Sequence, residues 1–157
     1  MTRRSERNGA ILDDVAKAII EQLQQDGRRS YAAIGKEVGL SEAAVRQRVQ
    51  RLIDSGVMQV VAVTDPLQLG FARQAMVGVE VHGALEPVAE ALAAMDEVDY
   101  VVITAGTYAI LAEVVCESDE RLLELLSEQI RRIDGVTRTE TFMYLKLRKQ
   151  TYSWGVR

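Results

Sequence analysis

The chain has 157 residues, 48% hydrophobic and 27% charged, an ordinary balance for one globular domain or two small ones. No apolar run approaches the ~20 residues needed to cross a bilayer, and no signal-length apolar core follows the N-terminal MTRRSERNGAILDD, so a cytoplasmic protein with no membrane partner is expected. The net charge of −4 is uneven: residues 1–63 hold ten Lys/Arg against eight Asp/Glu, and residues 64–157 hold nine against fifteen, so the acidic total does not exclude phosphate contact by the first part.

In chain order, residues 1–11 are polar and expected to fray. Asp13 or Asp14 can cap a first helix that runs to about Gln25, with Val15, Ile19, Ile20 and Leu23 at helical spacing. Asp26-Gly27 ends it. Ser30 caps a second helix whose Ala33, Ile34 and Val38 face inward, and Gly39 supplies a turn with positive φ. Ser41 caps a third helix, which Gly56 closes. Val57–Val63 (VMQVVAV) reads as a strand, either a wing or a link. Asp65-Pro66 and Gly70 then break the pattern.

The remainder alternates regularly. Gln74–His82 reads as a strand with Ala75, Val77, Val79 and Val81 on one face. Leu85, Val88, Leu92 and Met95 form a helical stripe. Tyr100–Ala105 and Ile110–Cys116 read as strands around a short turn at Gly106-Thr107. Cys116, the lone cysteine, cannot form an internal disulfide and reads as a buried thiol. Leu122, Leu126, Ile130 and Ile133 mark a second helix, capped near Ser118 or Asp119, and Val136–Lys149 a final strand. The order βαββαβ predicts a ferredoxin-like α+β unit. Its helices would cover one sheet face. The other carries Met76, Tyr144 or their alternating partners and is too apolar to leave wet, so a second copy of the chain is its simplest cover.

Two helices around a tight glycine turn, the second rich in arginine, have the form of a helix-turn-helix, whose second helix enters the DNA major groove. On that helix Val45, Val49, Leu52 and Ile53 make the apolar stripe. Ala43, Gln47, Gln50 and Arg51 lie opposite, with Arg46 and Arg48 on the flanks. Base edges select side chains that bond two atoms at once, which favours Gln47 and Arg46. Ser30, Ser41, Ala43 and Gln50 complete the candidate surface, with Ser41, Arg48 and Arg51 the better phosphate contacts. The plain alternative is a solvated helix face, with Arg48 paired to Glu37 or Asp54.

Thr104, Gly106, Thr107 and Tyr108 gather hydroxyls, backbone N–H groups and a ring at a strand junction. That is either a small-molecule site for a carboxylate and an amine or a plain hairpin. The one histidine, His82, shares a strand face with Glu80. No metal-ligand spacing, phosphate loop or nucleophile–base pairing is present in the sequence, so neither a cofactor nor an enzyme is expected.

Taken together, SYAAIGKEVGLSEAAVRQRVQRLIDSGVM, the βαββαβ order, TAGTYAILAEV and GVTRTETFMYL resemble the leucine-responsive regulatory protein/AsnC family from about Asp13 to Leu147. The resemblance implies a winged helix-turn-helix over residues 1–63 joined to an effector-binding, dimerising ferredoxin-like domain over 64–157. It implies partners of three kinds: double-stranded DNA, an amino acid or related effector, and copies of the chain as a homodimer and higher oligomer such as an octamer. By position the effector turn is Gly106, Thr107 and Tyr108, with Thr104 and Ala109 beside it, facing Thr139 and Thr141 of a neighbour. Family members often carry an acidic residue after the aromatic, as in G-x-Tyr-Asp. Ala109 stands there in this chain, which motivates a rival reading as a ligand-independent architectural DNA organiser. Tyr152 and Trp154, past the last strand, either pack at an assembly contact or trail in solvent.

Overall fold

The computed structural model describes residues 12–157, so the expectation for residues 1–11 lies outside the described residues. Contacts divide the chain into two units. One runs to Ala62 and takes back Lys149–Arg157, and the other is Val63–Arg148. The C-terminal tail thus belongs by contact with the helical unit, whereas the sequence groups it with the second.

The helical unit holds α1 (Asp14–Gln25), α2 (Tyr31–Val38) and α3 (Glu42–Asp54). Each begins at a side-chain cap that satisfies an otherwise orphaned N–H. Asp13 accepts from Ala16 N–H, Ser30 from Ala33 and Ser41 from Ala44. Ile19, Ile34, Val45 and Val49 are buried together. Burying such side chains contributes about 1.5–3 kcal/mol each. Ala16, Ile20 and Leu52 form a second cluster, against which Val57, Met58 and Val156 of the tail pack. Gly39 takes φ 71°, a left-handed turn that side chains disfavour. Gly35 lets the chain double back, because a Cβ there would stand 2.5 Å from the Leu40 carbonyl oxygen. Ile53 is 36% exposed and sits at the margin of the stripe.

Residues 57–63 do not form the expected strand. The N–H groups of Val57 and Met58 both donate to the Leu52 carbonyl, which folds the segment onto the end of α3. Every residue from Gln59 to Asp65 is exposed. A strand needs a ladder partner, and among the described residues none pairs with this segment, so the helix-turn-helix has no wing there.

The second unit contains β1 (Arg73–Val81), α4 (Leu85–Ala93), β2 (Val98–Ile103), β3 (Ile110–Cys116), α5 (Asp119–Glu124) and β4 (Val136–Met143). The sheet order is β2-β3-β1-β4, antiparallel throughout. This is the βαββαβ arrangement read from the sequence. Ala75, Val77 and Val79 of β1 and Ile110, Ala112 and Val114 of β3 pack against Val88 and Leu92 of α4 and Leu122, Leu125 and Ile130 from α5 onward. Cys116 lies in this core, and burial pushes its thiol up.

Two details differ from the periodicity. After α5 the chain makes a π turn over Leu125–Gln129. Leu125 rather than Leu126 follows Leu122 into the core, and the extra residue of the turn accounts for the five-residue step from Leu125 to the next buried side chain, Ile130. β4 stops at Met143, not Lys149: its last pair with β1 is Ala75 with Met143, followed only by Tyr144 N–H to the Gln74 carbonyl, and β1 itself begins at Arg73, so nothing in that strand lies opposite the residues that lead to Lys149.

Candidate functional site

Amphipathic spacing turns one face of α3 outward. Val45, Val49 and Leu52 are buried, while Ala43, Arg46, Gln47, Gln50 and Arg51 are exposed. The exposed side chains are not equally available. Arg46 bonds Glu42, one turn back, at 2.7 Å, and its guanidinium lies 5.4 Å from the ring centre of Tyr31. Gln50 donates to Asp54 at 2.7 Å. Gln47 and Arg51 make no side-chain hydrogen bond or ion pair among the described residues. The Ser30 and Ser41 hydroxyls accept cap bonds of 3.2 Å each.

Arg48 departs from the sequence alternatives. Its partner is neither Glu37 nor Asp54 but Asp13, 35 residues earlier, with contacts of 2.7 and 2.9 Å. That bond and the Ala16 N–H hold the Asp13 carboxyl below its usual range. Arg48 therefore ties the start of α1 to the middle of α3. Glu37 pairs with Arg29 instead, at 3.7 Å.

The second candidate region is the loop of residues 104–109 between β2 and β3. It is longer than a tight hairpin turn, because Ile103 and Ile110 are the last pair before it. Its N–H groups are partly used: Thr104 N–H donates to the Ala109 carbonyl at 2.8 Å, and Gly106 N–H to Thr104 Oγ1 at 3.2 Å. Thr104 Oγ1 in turn donates to the Tyr108 carbonyl. Gly106 and Thr107 are exposed and Ala109 is half-buried.

Tyr108 folds away from the loop onto the sheet face that the helices leave uncovered. Its ring covers Gly78, where a Cβ would stand 2.6 Å from the ring. It meets Phe142 edge-on at 5.9 Å, and its hydroxyl donates to Glu140. Glu140 was not singled out in the sequence, though it lies between the two candidate threonines. Register explains why those threonines lie elsewhere. Thr139 and Thr141 pair with Val79 and Val77, so they share the helix-covered face, opposite Glu140 and Phe142. Within one chain the loop and the threonines are not brought together. Thr139 accepts from Arg131 Nε at 2.9 Å, beside a cavity of about 300 Å³ lined by Arg131, Val136, Thr137, Arg138 and Thr139.

The uncovered face also carries Met76, Leu111, Tyr100, Val102 and Tyr144, with Glu113 among them. Tyr100 is 52% and Phe142 45% exposed. Burial, then the neighbouring Glu113 carboxylate, push the Tyr144 phenol up to about 12. His82 is exposed beyond β1, its N–H donating to the Gly135 carbonyl. No cluster of potential metal ligands occurs among the described residues.

Comparison with known proteins matches both units. Residues 12–53 fit the AsnC-type helix-turn-helix domain, and residues 71–157 fit a C-terminal dimeric alpha+beta barrel domain of AsnC-type regulators. An uncharacterized HTH-type transcriptional regulator of Pyrococcus furiosus is 34% identical over 145 residues, 91% of this chain and 98% of its own. The regulatory protein AsnC of Escherichia coli is 30% identical over 87% of this chain and 91% of its own. The AsnC structure superposes with a TM-score of 0.73 at 28% identity, covering 90% of this chain and 98% of that one. A Neisseria meningitidis transcriptional regulator solved in complex with L-Met shares the fold, with a TM-score of 0.77 at 23% identity over 90% of this chain and 95% of its own. The outward face of α3, the matched pair of units and relatives aligned along nearly the whole chain lead to one conclusion: this chain belongs to the leucine-responsive regulatory protein/AsnC family and is a transcription regulator with a DNA-binding helix-turn-helix.

Proposed function

We propose that the regulator reads DNA sequence through α3 and that an amino acid or related small molecule modulates it at a subunit interface. The observation that carries the first part is the outward set on α3. Gln47 is an exposed amide able to bond two atoms of one base, and Arg46 is an exposed guanidinium with the same capacity. Small Ala43 near the helix start allows close approach to the groove. Arg51 and Ser41, and Ser30 at the start of α2, are assigned to phosphate. Arg48 is reassigned, because its pairing with Asp13 gives it a place within the unit.

For the second part, the half-apolar open sheet face supports pairing with another copy, in keeping with the dimeric barrel named by the family match. A homodimer, with further association to an octamer, is the assembly this face supports; Thr139 and Thr141 lie on the helix-covered face, so the effector is assigned to the 104–109 loop rather than to these threonines. The L-Met complex of the Neisseria protein supports an amino-acid class of ligand. Two-fold symmetry would set two copies of α3 ~34 Å apart or a multiple of it, over an imperfect palindrome. Such a protein works in the cytoplasm, on the nucleoid. Ala109 favours the second reading, an architectural DNA organiser without a ligand.

DNA binding by two variants tests the reading face. Gln47→Ala is expected to relax base preference at one position by about 1–3 kcal/mol. Arg51→Ala is expected to weaken all sites alike and reduce the salt slope by about one. Unchanged binding in both would refute the assignment. Calorimetry against the common amino acids separates the two readings: binding of any one supports modulation, and binding of none supports the architectural role.

A further inference from the structure

Two restraints converge on Arg46 from two different helices. Glu42, on the first turn of α3, holds one guanidinium nitrogen at 2.7 Å. Tyr31, the first residue of α2, offers its ring face 5.4 Å from the guanidinium carbon. Each restraining residue directly follows a capping serine, Ser30 before Tyr31 and Ser41 before Glu42. The caps fix where both helices begin, and therefore where the ring and the carboxylate stand. Tyr31 is also packed against the cluster of Ile19, Ile34, Val45 and Val49, which limits its movement. Yet Arg46 keeps 65% of its side chain exposed. It is held without being covered.

This differs from the other two arginines of α3. Arg48 is 34% exposed and committed to Asp13, and Arg51 has no side-chain partner among the described residues. An exposed ion pair one turn apart adds little to stability, so the Glu42 contact is not explained by folding alone. A long side chain loses rotamer freedom when it docks, and fixing it beforehand removes part of that cost from binding. A planar fork held by a carboxylate on one side and standing over a ring on the other has fewer orientations open to it, which matters for bonding two atoms of one base.

We infer that Tyr31 and Glu42 are positioning residues that preset Arg46 for base reading, so that base choice at the Arg46 contact depends on a residue of α2. This rests on the proposed reading of bases by α3. The test uses the full chain and selection from a randomised duplex DNA library, with the salt slope and melting temperature of each variant measured alongside. Arg46→Ala is expected to relax preference at one base position per half-site. Tyr31→Leu, which keeps apolar packing but removes the ring face, is expected to lower preference at that same position by about two- to fivefold, the range of an exposed cation–ring contact. Its salt slope should not change. Tyr31→Phe keeps the face and should retain wild-type preference. Glu42→Gln should broaden preference at the same position.

Wild-type preference in Tyr31→Leu, alongside relaxed preference in Arg46→Ala, would overturn the inference and leave base reading by Arg46 intact. Uniform weakening of Tyr31→Leu on all sequences with a lower melting temperature would overturn it too, in favour of a purely structural tyrosine. Wild-type preference in Arg46→Ala would overturn the base-reading role itself and the inference with it.

Discussion

At the scale of single residues, charge pairing sorts arginines that look alike in the sequence. Arg46, Arg48 and Arg51 lie within six residues, and spacing could not distinguish them. Only the path of α1 across α3 shows that Arg48 meets Asp13. Asp13 has two tasks, capping α1 and bonding Arg48. Its carboxyl pKa is depressed in the folded protein, so it stabilises the fold when ionised in both states. That contribution is complete above the ordinary aspartate value of 3.8 and is lost as pH falls through the lower folded value. Asp13→Asn keeps a good cap but removes the charge. Its melting temperature should lie below wild type at pH 7, and the gap should close as pH falls below 4. A gap that stays constant across that range would mean that the Asp13 charge, and with it the Arg48 ion pair, does not carry the effect.

At the scale of elements, much of the layout was legible. The three capped helices, the βαββαβ order and the buried faces of β1 and α4 follow from apolar period and capping residues. The failures have specific causes. VMQVVAV is rich in β-branched residues, but propensity cannot supply a ladder partner. The π turn after α5 displaces the burial period by one residue, which no fixed spacing anticipates. Thr139 and Thr141 both fall on the last strand, as apolar patterning suggests, but which face they share depends on register with β1. Tyr108 could be named from its turn, whereas its seat over Gly78 beside Glu140 required the packed sheet. The α2–α3 turn gives a direct check. Gly35→Ala would force a Cβ to 2.5 Å from a backbone oxygen, and overpacking of this kind costs about 1–3 kcal/mol. Thermal unfolding should show that loss, with DNA affinity falling because α3 is no longer held in place. Wild-type stability would show that the turn can open without cost.

At the scale of the whole molecule, the two units are not two consecutive pieces of chain. The polypeptide leaves the helical unit at Ala62, builds the sheet, and returns for its last nine residues. Val156 then packs on Ala16, Ile20 and Leu52. Val156→Asp is expected to speed amide exchange in α1 and α3 while leaving the sheet strands protected. Equal protection in both proteins would mean that the tail adds nothing to the helical unit. Trp154, two positions earlier, is 80% exposed and is the chain's one tryptophan. Indole emission therefore comes from the tail alone. Its anisotropy is a built-in optical gauge of whether the tail is seated: high while Val156 is docked, lower once it lets go. Tail release on DNA or effector binding can thus be followed in the unlabelled protein.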